Sequence, residues 1–117
     1  MIRHCVFAKF RPHTPAAERD AIRAELSALV PLINGMGPVL FGPNVSPEPF
    51  ARGYDFGFTV DFSSAEARDA YLAHDAHKAA GARLVAALQG GTDGLMVFDI
   101  ALEPEGQTYP PAPSQLS

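Results

Sequence analysis

The stretch Tyr54-Asp55-Phe56-Gly57-Phe58-Thr59-Val60-Asp61-Phe62 decides the fold. Tyr54, Phe56, Phe58, Val60 and Phe62 fall on one side and Asp55, Gly57, Thr59 and Asp61 on the other, which predicts a strand with one buried, aromatic face. Directly after it, Ser63 with Glu66 three residues on fits a capping box and predicts a helix from Ala65 to Ala73. A second helical run, Asp75 to Leu88, turns Ala80, Leu84, Val85 and Leu88 inward and Lys78 and Arg83 outward, and the glycines of 90–94 stop it. Leu95 to Leu102 then reads as a last strand, apolar on both faces except at Asp99.

Upstream of the aromatic strand, the prolines and closing glycine of Ser46 to Gly53 mark a loop. Pro38 to Val45 is a short strand whose Gly42-Pro43 interruption suits a sheet edge. Thr14 as N-cap and Pro15 at the first position open a helix running to about Val30, with Ile22, Leu26, Leu29, Val30 and Ile33 at helical spacing and Pro31 ending it. In the opening strand Ile2, His4, Val6, Ala8 and Phe10 alternate with Arg3, Cys5, Phe7 and Lys9.

The order is βαββαβ with the second helix split, which predicts an α+β, ferredoxin-like unit with one four-stranded antiparallel sheet. Right-handed crossovers put every helix on the same face. Cys5 and Phe7 oppose Ile2, Val6 and Phe10 in the first strand, and Met96, Phe98 and Ile100 oppose Leu95 and Val97 in the last. Neither face is polar enough to stay bare, so a homodimer through the open sheet face is expected.

The 117 residues suit a single domain, here residues 1–102, and a net charge of -4 without a basic patch argues against nucleic acid as partner. No apolar run reaches the roughly 18 residues of a membrane span. The single Cys5 cannot form an internal disulfide, and the opening Met1-Ile2-Arg3-His4 lacks the look of a secretory signal, so a cytoplasmic location is expected. None of the eleven prolines lies between Phe50 and Glu103, whereas four fall in residues 103–117, which read as a proline-rich, solvated tail.

The chemistry concentrates in four histidines and one tyrosine. His13 sits in a turn, while His4 belongs to the helix-covered side of the first strand and is expected to be buried. Tyr71-Leu72-Ala73-His74-Asp75-Ala76-His77 gathers titratable groups at the junction of the two C-terminal helices. If Asp75 opens the second of these, His77 lies in its first turn, where the positive end of the helix dipole disfavours an imidazolium and leaves a neutral base. Tyr71 could present its hydroxyl to the same space, or simply plug the core. His74 and His77 have metal-pair spacing, but zinc wants at least three protein ligands and none converges obviously, so no metal is expected. No glycine-rich phosphate loop is present, because Gly90 to Gly94 precedes a strand.

His4, the Gly53-Tyr54-Asp55-Phe56-Gly57-Phe58 run, Phe62-Ser63-Ser64-Ala65-Glu66, the segment Tyr71 to His77 and Val97-Phe98-Asp99 together resemble the stress-responsive A/B barrel (Dabb) domain, over roughly residues 2 to 102. The resemblance implies a dimeric α/β barrel of ferredoxin-like subunits. One branch, similar to plant olivetolic acid cyclase, closes polyketides without metal or cofactor, and there the positions matching His77, Tyr71 and His4 are base, assisting tyrosine and pocket histidine. A related hydroxynitrile lyase shares the domain. On this reading His77, Tyr71 and His4 are the catalytic candidates and His74, Phe10, Phe56 and Phe58 the ligand-binding ones, with no cofactor. The ligand would be small and apolar or carbonyl-containing. The sequence departs from the pattern in two places: Asp75 replaces a family proline and could raise the pKa of His74 or His77, and Leu26 replaces a pocket tyrosine of the cyclase. A non-catalytic ligand-binding dimer or a stress-related structural dimer is the alternative to an enzyme.

Overall fold

Strand β1 (Ile2–Ala8) occupies the middle of the sheet because it pairs antiparallel with both β3 (Phe56–Phe62) and β4 (Leu95–Ala101). With β2 (Met36–Pro43) on the far side of β3, the order is β2-β3-β1-β4, as a ferredoxin-like unit requires. The coordinates are a computed structural model that describes residues 1–102, so the tail expected over 103–117 lies outside the described residues. Helices α1 (Ala16–Ser27), α2 (Ala65–Ala73) and α3 (Asp75–Ala86) cover one face of the sheet.

Register explains which face that is. His4 pairs with Val60, Val6 with Phe58 and Ala8 with Phe56, so the aromatic side of β3 and the even-numbered residues of β1 point the same way. Phe58, Val60 and Phe62 are buried there against Ile22 and Leu26 of α1, Ala67 and Tyr71 of α2, and Ala80 and Leu84 of α3. Each fully buried side chain of this size contributes about 1.5–3 kcal/mol, so the amphipathic faces fix the helices to this side. Phe7, Leu40, Met96, Phe98 and Ile100 are exposed on the other, helix-free side. No described helix is long and apolar enough to cross a membrane.

Several local expectations shift by a residue or two. Thr14 does not cap α1: its Oγ1 donates to the Arg11 carbonyl at 2.6 Å, closing the turn that holds His13 at a positive φ, and Pro15 itself is the N-cap. The helix stops at Ser27 and the chain around Pro31 forms a short 3₁₀ turn, Val30–Leu32. Ser64 rather than Ser63 caps α2, accepting from the Ala67 N–H at 3.1 Å. Ser63 is engaged elsewhere, its own N–H donating to the Gly35 carbonyl at 2.9 Å. The first strand ends at Ala8, and Phe10 keeps only an isolated bridge to Leu88.

The approach of Ser63 to Gly35 leaves no room for a side chain. Gly35 has φ +90°, and an added Cβ would run into the Ser63 side chain and meet Ala67 at 3.1 Å. Gly35→Ala is therefore expected to lower unfolding stability by about 1–3 kcal/mol, read as a reduced denaturant midpoint at unchanged slope.

Candidate functional site

His4 is the one buried polar residue of the described core, 3% exposed. It tolerates that position because Asp99 stands opposite it on β4, with His4 Nδ1 and Asp99 Oδ1 2.7 Å apart. The second carboxylate oxygen of Asp99 accepts from Arg68 Nη1 of α2 at 3.2 Å, and the same guanidinium also reaches Asp69. With Nδ1 donating to that carboxylate, Nε2 is the ring nitrogen of His4 left for another partner.

Tyr71, fully buried on α2, packs its ring against His77 (centroids 4.3 Å apart), Phe62 (5.1 Å) and His4 (5.8 Å). The three candidate catalytic residues therefore meet in one cluster, although they come from β1, α2 and α3. Tyr71 Oη and His77 Nδ1 are buried without a hydrogen-bond partner among the described residues. Such orphan groups cost about 1–3 kcal/mol each in a folded protein, so they demand a reason.

Their environments push the two groups apart. Burial raises the Tyr71 phenol far above its ordinary value, so it remains a neutral O–H donor across the physiological range. Burial lowers His77, with the Leu72 carbonyl opposing and the nearby His4 adding to the depression. His77 is thus a neutral imidazole at pH 7, able to accept a proton.

His4 and His77 line a cavity of about 350 Å³ between sheet and helices, with Leu26, Phe58, Leu84 and Val97 around them, and Tyr71 packs behind the two histidines without lining it. Leu26 accordingly sits on the cavity wall, and Phe58 lines it as a candidate ligand contact. His74 occupies a different place. It ends α2 and caps α3, its Nδ1 accepting from the Ala76 N–H at 3.0 Å. Phe10 and Phe56 form an edge-to-face pair at 5.4 Å away from this cavity, and Phe56 borders a separate groove of about 670 Å³ beneath the loop between β2 and β3. Asp75, expected to hold one of the histidines, is exposed and makes no side-chain hydrogen bond among the described residues, and the His77 pKa moves down rather than up. Among the described residues no group of three or more His, Cys, Asp or Glu is arranged to hold a metal.

Asp99 and Arg68 are the members of the cluster that sequence reading passed over. The available signal was Asp99 as the lone carboxylate in an apolar strand. Its pairing with a histidine 95 residues away depends on the β1–β4 register, which no local pattern carries.

Fold and cluster together define a ferredoxin-like α+β subunit with titratable side chains facing a pocket between sheet and helices. The chain belongs to the stress responsive A/B barrel domain family, whose model matches residues 2–101. A dimeric ferredoxin-like protein of unknown function from Jannaschia sp. CCS1 is 31% identical, with a TM-score of 0.80 over 86% of this chain and 98% of that one. A protein of Arabidopsis thaliana is 26% identical (TM-score 0.78, 92% of this chain and 100% of that one). The hydroxynitrile lyase of Passiflora edulis shares the fold at 18% identity (TM-score 0.75, 93% and 96%). No curated protein matches the sequence.

A depressed His77 pKa has a definite sign in stability. Above about pH 6.5 the residue is neutral in both states. As the pH falls from there through the lower native value, the unfolded chain binds more protons and stability drops. An NMR titration should place the His77 midpoint below 6.5, and an ordinary or raised midpoint would contradict the burial argument.

Proposed function

We propose that the protein catalyses proton transfer at a carbon next to a carbonyl, using side chains alone, with His77 as base and Tyr71 as hydrogen-bond donor. The observation that carries this reading is the Tyr71–His77 contact at 4.3 Å, in which burial keeps the donor protonated and the acceptor unprotonated at the same pH. His77 takes the carbon-bound proton and becomes imidazolium, while the Tyr71 O–H donates to the enolate oxygen that develops. The enolate carbon then takes the proton back from the His77 imidazolium, or it adds to a carbonyl whose C=O π bond opens to an alkoxide that takes that proton, as a cyclase- or lyase-type reaction would have it. His4, oriented by Asp99, is a second polar wall of the same cavity.

Deuterium incorporation into a panel of aryl methyl ketones and 3-oxo esters in deuterium oxide tests the proposal. A positioned base contributes about 10²- to 10⁴-fold, so His77→Ala should lose exchange by that factor while keeping a native circular dichroism spectrum. Exchange at the wild-type rate in His77→Ala would remove His77 as base. A carbonyl ligand that binds and is recovered without exchange would instead favour a binding role for the cavity.

The working particle on this reading is a homodimer joined through the helix-free sheet face, and the Jannaschia relative and one from Thermobifida fusca are described as dimeric. Exposed Phe7, Leu40, Met96, Phe98 and Ile100 form a patch of the kind that marks interfaces. The unpaired Cys5 thiol suits a reducing compartment, and a cytoplasmic location belongs to the same proposal. Sedimentation should show a dimer at micromolar concentration and a monomer for Phe98→Glu; a wild-type monomer would sink the interface.

A further inference from the structure

Beside the catalytic cluster, the cavity wall has two residues that the proton-transfer reading does not use. Lys78, exposed in the first turn of α3, lines the cavity next to His77 and has no ion-pair partner among the described residues. Among the described residues no carboxylate lines the cavity and Lys78 is its one fixed charge, the remaining wall being apolar apart from the two histidines. By contrast, Arg83 is paired with Glu18 and Glu25, and Arg68 with Asp69 and Asp99.

Gly81, one turn further along α3, lines the same cavity, and a Cβ added there would meet nothing within 4 Å. A glycine inside a helix is destabilising against alanine, and neither a positive φ nor a close backbone neighbour calls for one here. Open space in front of it is what the missing side chain provides. On the sheet side, Val97 faces the helices yet stays 52% exposed, which leaves the cavity open along β4.

We propose that the cavity binds an amphipathic monoanion, with its carboxylate at Lys78 and its apolar chain running past Gly81 toward Leu84 and Val97. The cavity of about 350 Å³ holds about a dozen non-hydrogen atoms at roughly 30 Å³ each, the size of a medium-chain acid. The inference deepens the proposed function by naming the ligand class of the same site, and binding alone decides it.

Decanoate and decanol, equal in chain length and different in charge, are the probes, with affinity measured calorimetrically on the full chain at pH 7. Decanoate is expected to bind roughly five-fold more tightly than decanol at low salt, with the difference shrinking in 1 M salt. Lys78→Met should remove the difference and leave decanol affinity unchanged, and since Lys78 is exposed the variant keeps the fold. Gly81→Leu should weaken both ligands at least ten-fold. Equal affinity for the two probes in the wild type, an undiminished preference in Lys78→Met, or unchanged binding in Gly81→Leu would each overturn the proposal. The outcome separates from the catalytic one. Decanoate preference alongside full exchange activity in His77→Ala would sink only the base, and lost exchange without decanoate preference would sink only the ligand class.

Discussion

A slip of one residue in the pairing of β1 would put Cys5 where His4 stands and turn Val6 and Ala8 away from the helices. The register is held from both sides, by β3 and by β4, over the full length of β1. That constraint is hydrophobic in origin, because only one phase of the alternation buries Val6 and Ala8 with Phe58 and Val60 under the helices. The functional consequence is geometric. The same phase brings His4 opposite Asp99 and beneath Tyr71, so the packing that stabilises the sheet also assembles the candidate site.

Electrostatics is divided between surface and interior. Arg3–Asp61 and Arg83 with Glu18 and Glu25 are exposed pairs, and water and salt screen pairs of this kind strongly. Arg83 nevertheless joins α3 to α1 across the helix layer, which steadies the roof of the cavity. Inside, the shifts arise from burial with little help from ions. Tyr71 and His77 are moved in opposite directions because the low-dielectric surroundings penalise the charged form of each, and that form is the anion for the phenol and the cation for the imidazole.

Much of this was legible in the sequence. Period-two alternation located β1, β3 and β4, and the spacing of Ile22, Leu26, Ala80 and Leu84 placed the buried stripes of α1 and α3. The class of fold followed from the order of elements alone. Caps were less legible, since Thr14 and Ser63 have the right chemistry and are diverted by tertiary neighbours, a turn carbonyl in one case and Gly35 in the other. For the cluster of candidate residues, Tyr71 and His77 stood out because they share a short segment and His4 because a histidine is conspicuous in an apolar strand. Asp99 and Arg68 were invisible as partners because their meeting with His4 is a product of strand order. Asp75 was misleading for the opposite reason, being adjacent in sequence and turned outward in space.

Strand β2 lies at one edge of the sheet and carries Pro38 and Pro43, the first at a break in its pairing with β3. Proline has no N–H to offer an incoming strand, so this edge is a poor template for adding another chain. The molecule thereby avoids open-ended growth of the sheet along that side, the route by which exposed strands lead to aggregates. In the proposed dimer, two copies stacked on the broad apolar face by a two-fold axis would cover each other and leave nothing to propagate.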